Sequence, residues 1–350
     1  MSKKIFTITN LLVLVLLVVS VILGGCGQNT PAPVTEDEPA APQATTEPQA
    51  VEQPAAVTSG LPDGTGKRIA VIWGSLGNDW NVQVHDAAVA SLKEMGADVV
   101  VDSNAGGDRT VQVSLIENAI QMGVDGMIMS DVATEIIDPV IQQAIDAGIP
   151  VVTVGAFSAA ATNDVRNNEW DNGWQSALMV SKFLEGKPAN VINAYEPGFK
   201  PIEVRFASYS AAMPFLVPDY KAVATVNAHW PNTIPEAKAQ MEAFLKQFPN
   251  EGDINAVFGT YDLESLGMAQ AIEEAGRDIP VIGVDCSADV LTAIKSGTSV
   301  IKGCIGSDPT GMGDQGAKNL INILLGEKLP PQSYFPVVPV DVDNIDTYQP

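Results

Sequence analysis

Side chains able to do chemistry recur at the ends of short apolar runs. Asn78, Asp79 and Trp80 follow the run at 68–75, Ser130 and Asp131 end the run at 126–130, and Trp230 comes shortly after 222–228. Tyr261 and Asp262 follow 255–260, Asp285 closes 280–285, and Ser307 comes just after 299–305. Amides, hydroxyls and carboxylates exchange hydrogen bonds in pairs, and aromatic rings offer flat apolar faces. Such a set suits capture of a polar solute. Bond-breaking chemistry needs more. No nucleophile stands beside an evident base, and no glycine-rich dinucleotide fingerprint is present. His85 and His229 have no Cys, His or carboxylate at metal-ligand spacing. The expectation is no enzyme, no cofactor and no metal. Two near misses agree. Gly64-Thr65-Gly66-Lys67 lacks a phosphate loop's first glycine and is followed by Arg68 rather than Ser or Thr. Asp341, Asp343 and Asp346 lack the Gly and terminal Glu of a calcium loop.

The elements that position these residues alternate. Strands are predicted at 68–75, 98–103, 126–130 and 150–155, with helices at 80–95, 110–122 and 134–147 between them. A second series begins after Trp170. Its helices are expected at 171–185, 203–213, 234–247, 263–275 and 288–296, and its strands at 190–195, 222–228, 255–260, 280–285 and 299–305. A last helix at 311–325 precedes a Pro-rich tail in which 336–342 reads as a possible strand. The strands are almost continuous in Val, Ile and Met, as buried parallel strands are. The class is therefore α/β, with two doubly wound parallel-sheet lobes. In such sheets ligands bind beyond the carboxyl ends of the strands, where the polar residues above stand.

Composition narrows the partners. The 350 residues carry 42 acids against 19 bases, a net charge of −23, which argues against nucleic acid. Lys3 and Lys4 precede an apolar run from Leu11 to Leu23, shorter than a bilayer span. Leu23-Gly24-Gly25-Cys26 resembles the lipobox of bacterial lipoproteins, in which the signal is cut before the cysteine and the thiol is lipidated. Residues 1–25 are then a signal peptide, and Cys26 is the mature N-terminus and membrane anchor. Residues 26–66, rich in Pro, Ala, Thr, Glu and Gln, bury too little apolar surface to fold and form a solvated tether.

From Lys67 to about Asp343 the chain resembles the type I periplasmic binding proteins, particularly the ribose/galactose-type sugar receptors of ABC importers. Ser75-Leu76-Gly77-Asn78-Asp79-Trp80 looks like their first ligand loop. Val124-Asp125-Gly126-Met127-Ile128 and Ala147-Gly148-Ile149-Pro150-Val151-Val152 look like two of their strand entries. Arg205-Phe206-Ala207-Ser208-Tyr209 matches a segment whose arginine hydrogen-bonds the ligand, and Val281-Ile282-Gly283-Val284-Asp285 a strand ending in a ligand aspartate. The resemblance implies three crossings between lobes, one lobe from 67–168 plus 308–333 and another from 169–307 plus 334–345. It implies a monomeric receptor on the extracytoplasmic face that passes a sugar or polyol to ABC permease subunits. The same fold also suits a nucleoside, a furanosyl signalling molecule, or a sensory role without transport.

Departures concern the ligand. Ribose-type receptors carry Asp-Arg where Gly155-Ala156 stand, Asn-Asp where Tyr261-Asp262 stand, and a glutamine near Ser307. The missing Asp-Arg leaves volume for a different ligand. On chemistry, Asn78, Arg205, Asp262 and Asp285 suit hydroxyls, while Trp80, Trp230 and Tyr261 suit C–H faces. Plainer roles stay open: core packing for Trp230, helix caps for Asp79 and Asp262, a structural ion pair for Arg205. Trp170 and Trp174 read as hinge packing. Cys286 and Cys304 lie on neighbouring strands with a stagger of three or four residues, about 10 Å or more, and are expected to stay unpaired.

Overall fold

The computed structural model describes residues 60–130, 133–184 and 186–348. The signal, the lipobox with Cys26, most of the tether and Asp131 lie outside the described residues.

The first series forms β1 (Arg68–Trp73), α1 (Asp79–Glu94), β2 (Asp98–Asn104), α2 (Arg109–Met122), β3 (Gly126–Ser130), α3 (Thr134–Asp146) and β4 (Val151–Val154). A further strand follows, β5 (Asn163–Asn167), then α4 (Glu169–Leu184), β6 (Asn190–Ala194), α5 (Lys200–Leu216), β7 (Lys221–Val226) and α6 (Thr233–Gln247). The chain continues as β8 (Ala256–Phe258), α7 (Asp262–Glu274), β9 (Val281–Asp285), α8 (Ala288–Ser296) and β10 (Ile301–Gly306). It closes with α9 (Pro309–Leu324), β11 (Gln332–Phe335) and β12 (Val338–Asp341).

Two six-stranded sheets result, ordered β11-β5-β4-β3-β1-β2 and β12-β10-β9-β8-β6-β7. Pairing is parallel throughout except for β12 against β10. Alternation along β1 shows why both faces are covered. Ile69, Val71 and Trp73 pack with Val84, Leu92 and Leu320, whereas Ala70 and Ile72 pack with Ile116 and Ile141 on the other side. Trp73 is wholly buried, a core residue. The second sheet has a corresponding pair of cores. The chain passes between sheets after β5, after β10 and between β11 and β12.

Three local findings depart from the sequence reading. Strand β5, sequence NDVRN, has no apolar pattern and was not expected, yet all five residues are buried. Its polar groups are matched: Asn163 donates to the Pro330 carbonyl and accepts from Asn319, and Asp164 accepts from Thr153 and pairs with Arg166. Gly64, assigned to the tether, is buried and donates to the Met95 carbonyl at 2.7 Å, so the ordered lobe begins before Lys67. Trp170 and Trp174 turn outward, 58% and 36% exposed, with Trp174 against Phe215 rather than packed in a hinge.

Candidate functional site

In each sheet the strand order reverses direction beside the first strand of its series, β1 against β3 and β6 against β8. Such switch points open a crevice between diverging loops. Here the two crevices share one cavity of about 150 Å³. A volume of that order accepts one six-membered ring. From the first lobe it is lined by Ser75, Asn78, Trp80, Asn81, Ser130, Gly155 and Asn167. The second contributes Glu169, Glu196, Phe199, Arg205, Trp230, Tyr261 and Asp285, with Pro201 and Ile202.

Asn78 caps α1, its Oδ1 accepting from the Asn81 N–H at 2.8 Å, which leaves its NH2 group for a ligand. Asn81 Oδ1 and Asn167 Oδ1 are buried without a partner among the described residues. Buried amide oxygens are rarely left so, and both line the cavity. Trp80 donates through Nε1 to Ser307 Oγ at 3.2 Å. A Cβ at Gly155 would come within 2.7 Å of the Trp80 ring. At Gly155 the Trp80 indole thus takes the place of a side chain, which reduces the volume expected from the absent Asp-Arg pair, while Gly155 itself still lines the cavity.

The charged centre is Arg205, 4% exposed on α5. Its Nε donates to Glu169 Oε2 at 2.8 Å, its Nη1 donates to the Thr260 carbonyl, and Asp285 Oδ1 is 3.8 Å from Nη1. Burial works against the guanidinium's charge, but Glu169 and Asp285 outweigh it and hold the proton more firmly than usual. Asp285 is pushed up to about 7 by burial; Arg205 pulls it down, while Asp262 and Glu169 add to the rise. Below the floor, Glu264 accepts from the Thr260 N–H and hydroxyl at 2.7 and 2.8 Å and is raised by burial to about 8. Glu196 accepts from the Trp230 backbone N–H at 3.0 Å and from the Tyr261 hydroxyl at 2.6 Å. Burial and that bond raise the phenol's pKa, so it stays a donor.

Seven sequence-predicted residues therefore converge on the cavity: Asn78, Trp80, Ser130, Arg205, Trp230, Tyr261 and Asp285. Three do not line it. Ser307 holds the Trp80 indole instead, and its carbonyl accepts from Tyr348. Asp262 is buried as the first residue of α7, and Asp79 is exposed as the first of α1. They lie close enough that Asp79 adds to the effect of burial in raising Asp262. Sequence reasoning set Glu196 and Asn81 at strand ends without assigning them to the ligand, and missed Glu169 and Asn167 as lining groups. Glu196 stood at a strand end and was detectable there; Glu169 follows a strand whose polar sequence hid it.

Cys286 and Cys304 are disulfide-bonded, with Cα atoms 5.5 Å apart, which corrects the expectation that they stay unpaired. The register sets Cys304 opposite Gly283, as the stagger argument assumed. A chain running straight on beyond Asp285 would keep the two sulfurs apart. Asp285 and Cys286 instead adopt left-handed φ values of 78° and 54°, turning the chain back over β10.

The lobes also touch directly. A side chain at Gly77 would overlap the Trp230 ring, and one at Gly107 would reach 3.1 Å from its Nε1. Trp230 thus lies in a slot that two glycines of the opposite lobe leave open.

The periplasmic binding protein domain matches residues 69–328. The chain belongs to the periplasmic binding protein family. Its two lobes and its relatives place it with the type I receptors of sugar importers. The xylitol-binding protein of Mycolicibacterium smegmatis is 30% identical over 203 residues, 57% of this chain. The match spans 56% of that relative's length. The ribose import binding protein of Bacillus subtilis is 27% identical over 260 residues, 73% of this chain and 81% of the relative. An ABC transporter solute binding protein from Agrobacterium vitis, solved with bound allitol, superposes with a TM-score of 0.76 at 26% identity, covering 81% of this chain and 98% of that one. Among the described residues no helix is long and apolar enough to cross a membrane, and no cluster of His, Cys, Asp or Glu suits a metal ion.

Proposed function

We propose that this chain is an extracytoplasmic solute receptor that captures a small sugar or polyol between its lobes and delivers it to an ABC importer permease. One observation carries the reading: both switch points open into a single ring-sized cavity walled by aromatic faces and hydrogen-bonding groups. Xylitol, ribose and allitol in the names of similar proteins support the ligand class. Trp80 and Trp230 suit the C–H faces of such a solute, and Asn78, Arg205 and Asp285 its hydroxyls. Ligand favours the closed form only through contacts with both lobes, which this wall offers. No bond is made or broken. The receptor works as a monomer, tethered at the membrane by lipid on Cys26, which keeps it near its permease.

Thermal-shift screening of the protein against pentoses, hexoses, polyols, sugar acids and nucleosides tests the ligand class. Stabilisation by a sugar or polyol is expected, and none from that group would end the reading. Lipid labelling that survives Cys26→Ala would remove the anchor from it.

A further inference from the structure

Charge in the cavity is unevenly matched. Glu169, Glu196 and Asp285 line it, and Arg205 is the sole base among its described lining residues. Arg205 is already engaged with Glu169 and Asp285. Glu196 has no such partner. It is 5% exposed, and its two oxygens rest on neutral donors, the Trp230 backbone N–H and the Tyr261 hydroxyl. Among the described residues no lysine, arginine or histidine pairs with it. A carboxylate taken out of water without a counter-charge is costly. A ligand can bring the missing charge.

The surroundings suit a cation. Tyr261 holds Glu196 by its hydroxyl and Trp230 by its backbone N–H, and the rings of Trp80, Trp230 and Tyr261 belong to residues that line the cavity; the Phe199 ring is already faced by Arg109, 5.4 Å from its centroid. Aromatic faces attract ammonium groups. Asn81 and Asn167 line the same cavity, and their Oδ1 atoms, buried without partners among the described residues, are acceptors that can take N–H donors. A neutral polyol would satisfy these oxygens but leave the charge of Glu196 unmatched, and an acidic sugar would set a further carboxylate against it.

We propose that the cavity selects sugars or cyclic polyols bearing a protonated amine, with the ammonium received by Glu196 between Trp230 and Tyr261, and that it rejects sugar acids. This rests on the receptor reading above and narrows its ligand class. The test is calorimetric titration of the protein at about pH 6.5, where a sugar amine is protonated. Matched sets serve as probes: glucose, glucosamine and glucuronate; galactose, galactosamine and galacturonate; myo-inositol and an amino-deoxy-inositol. In at least one set the amine should bind at least about tenfold more tightly than its neutral parent, the scale of one charge-assisted hydrogen bond, and the acids should not bind. Glu196→Gln should bring the amine-to-neutral ratio close to one, whatever happens to both affinities. If that variant fails to fold, the unaltered protein decides alone. Neutral parents binding as tightly as their amines, or uronates binding at all, would overturn the selectivity and leave the receptor reading standing. Binding by no member of any set would overturn the selectivity, and the receptor reading falls with it only where pentoses and linear polyols also fail to stabilise the protein.

Discussion

The two lobes face one another with different chemistry. The first presents Asn78, Trp80, Asn81, Ser130 and Asn167, none of them charged, whereas Glu169, Glu196, Arg205 and Asp285 all come from the second. The charged groups are bound to one another and to Thr260, Trp230 and Tyr261 within their own lobe. Their geometry is therefore set before closure. The first lobe closes over them with amides and indole, which cost less to desolvate than ions. One lobe discriminates and the other encloses.

Breaking the charged face should have the largest effect. Arg205→Ala leaves Glu169 and Asp285 buried without their shared cation, and loss of one buried partner costs about 3–5 kcal/mol. Chemical denaturation should show that loss, and titration should show no binding. Wild-type stability would mean that the network does not organise this lobe. Breaking the enclosing face is milder. Gly77→Ala puts a methyl group into the Trp230 slot, so each lobe stays folded while closure is obstructed. Affinity should fall about tenfold, equivalent to roughly 1.4 kcal/mol, and small-angle scattering should no longer show compaction on adding ligand. Unaltered compaction would disprove the slot.

Acidity separates the faces more finely. Burial raises Asp285 to about 7 and Glu264 to about 8 in the second lobe, and Asp164 to about 6 in the first. These folded-state values lie above those of an unfolded chain, so the folded protein holds more protons between about pH 4 and 8, and stability falls as pH rises. The ligand-free Tm should drop by about 3 °C or more between about pH 5.5 and 8. Glu264→Gln should flatten the part above about pH 6.5, which the second lobe dominates. A Tm that rises across this range would contradict the assignment. The smallest effect concerns Asp79 and Asp262, like charges brought close across the cleft. Asp79→Asn should tighten ligand binding about twofold by easing closure, read by calorimetry at low salt. Weaker binding would instead give Asp79 a role with the ligand.

Legibility followed apolar pattern. Strands such as Gly126–Ser130 and Val281–Asp285 are continuous apolar or glycine runs, so their ends, and with them Ser130 and Asp285, could be read directly. Asn163–Asn167 could not, because its burial is offset by hydrogen bonds to Thr153, Pro330 and Asn319, partners remote in sequence. Glu169 was hidden with it. The helix starts at 79, 109 and 262 fell within a residue or two of expectation, since local capping and turn chemistry set them.

The amino-acid order alone determined the α/β class, the two series of elements, the family resemblance and the strand ends at which the ligand groups stand, because periodicity and turn residues are local properties. Only the tertiary structure decided which of those groups meet. It turned Cys286 back onto Cys304, gave the space at Gly155 to Trp80, and set Glu196 against Trp230 and Tyr261 with no basic side chain paired to it among the described residues. Each depends on a backbone reversal or on contacts within one lobe between separate strand ends, and spacing along a sequence does not encode distance in space.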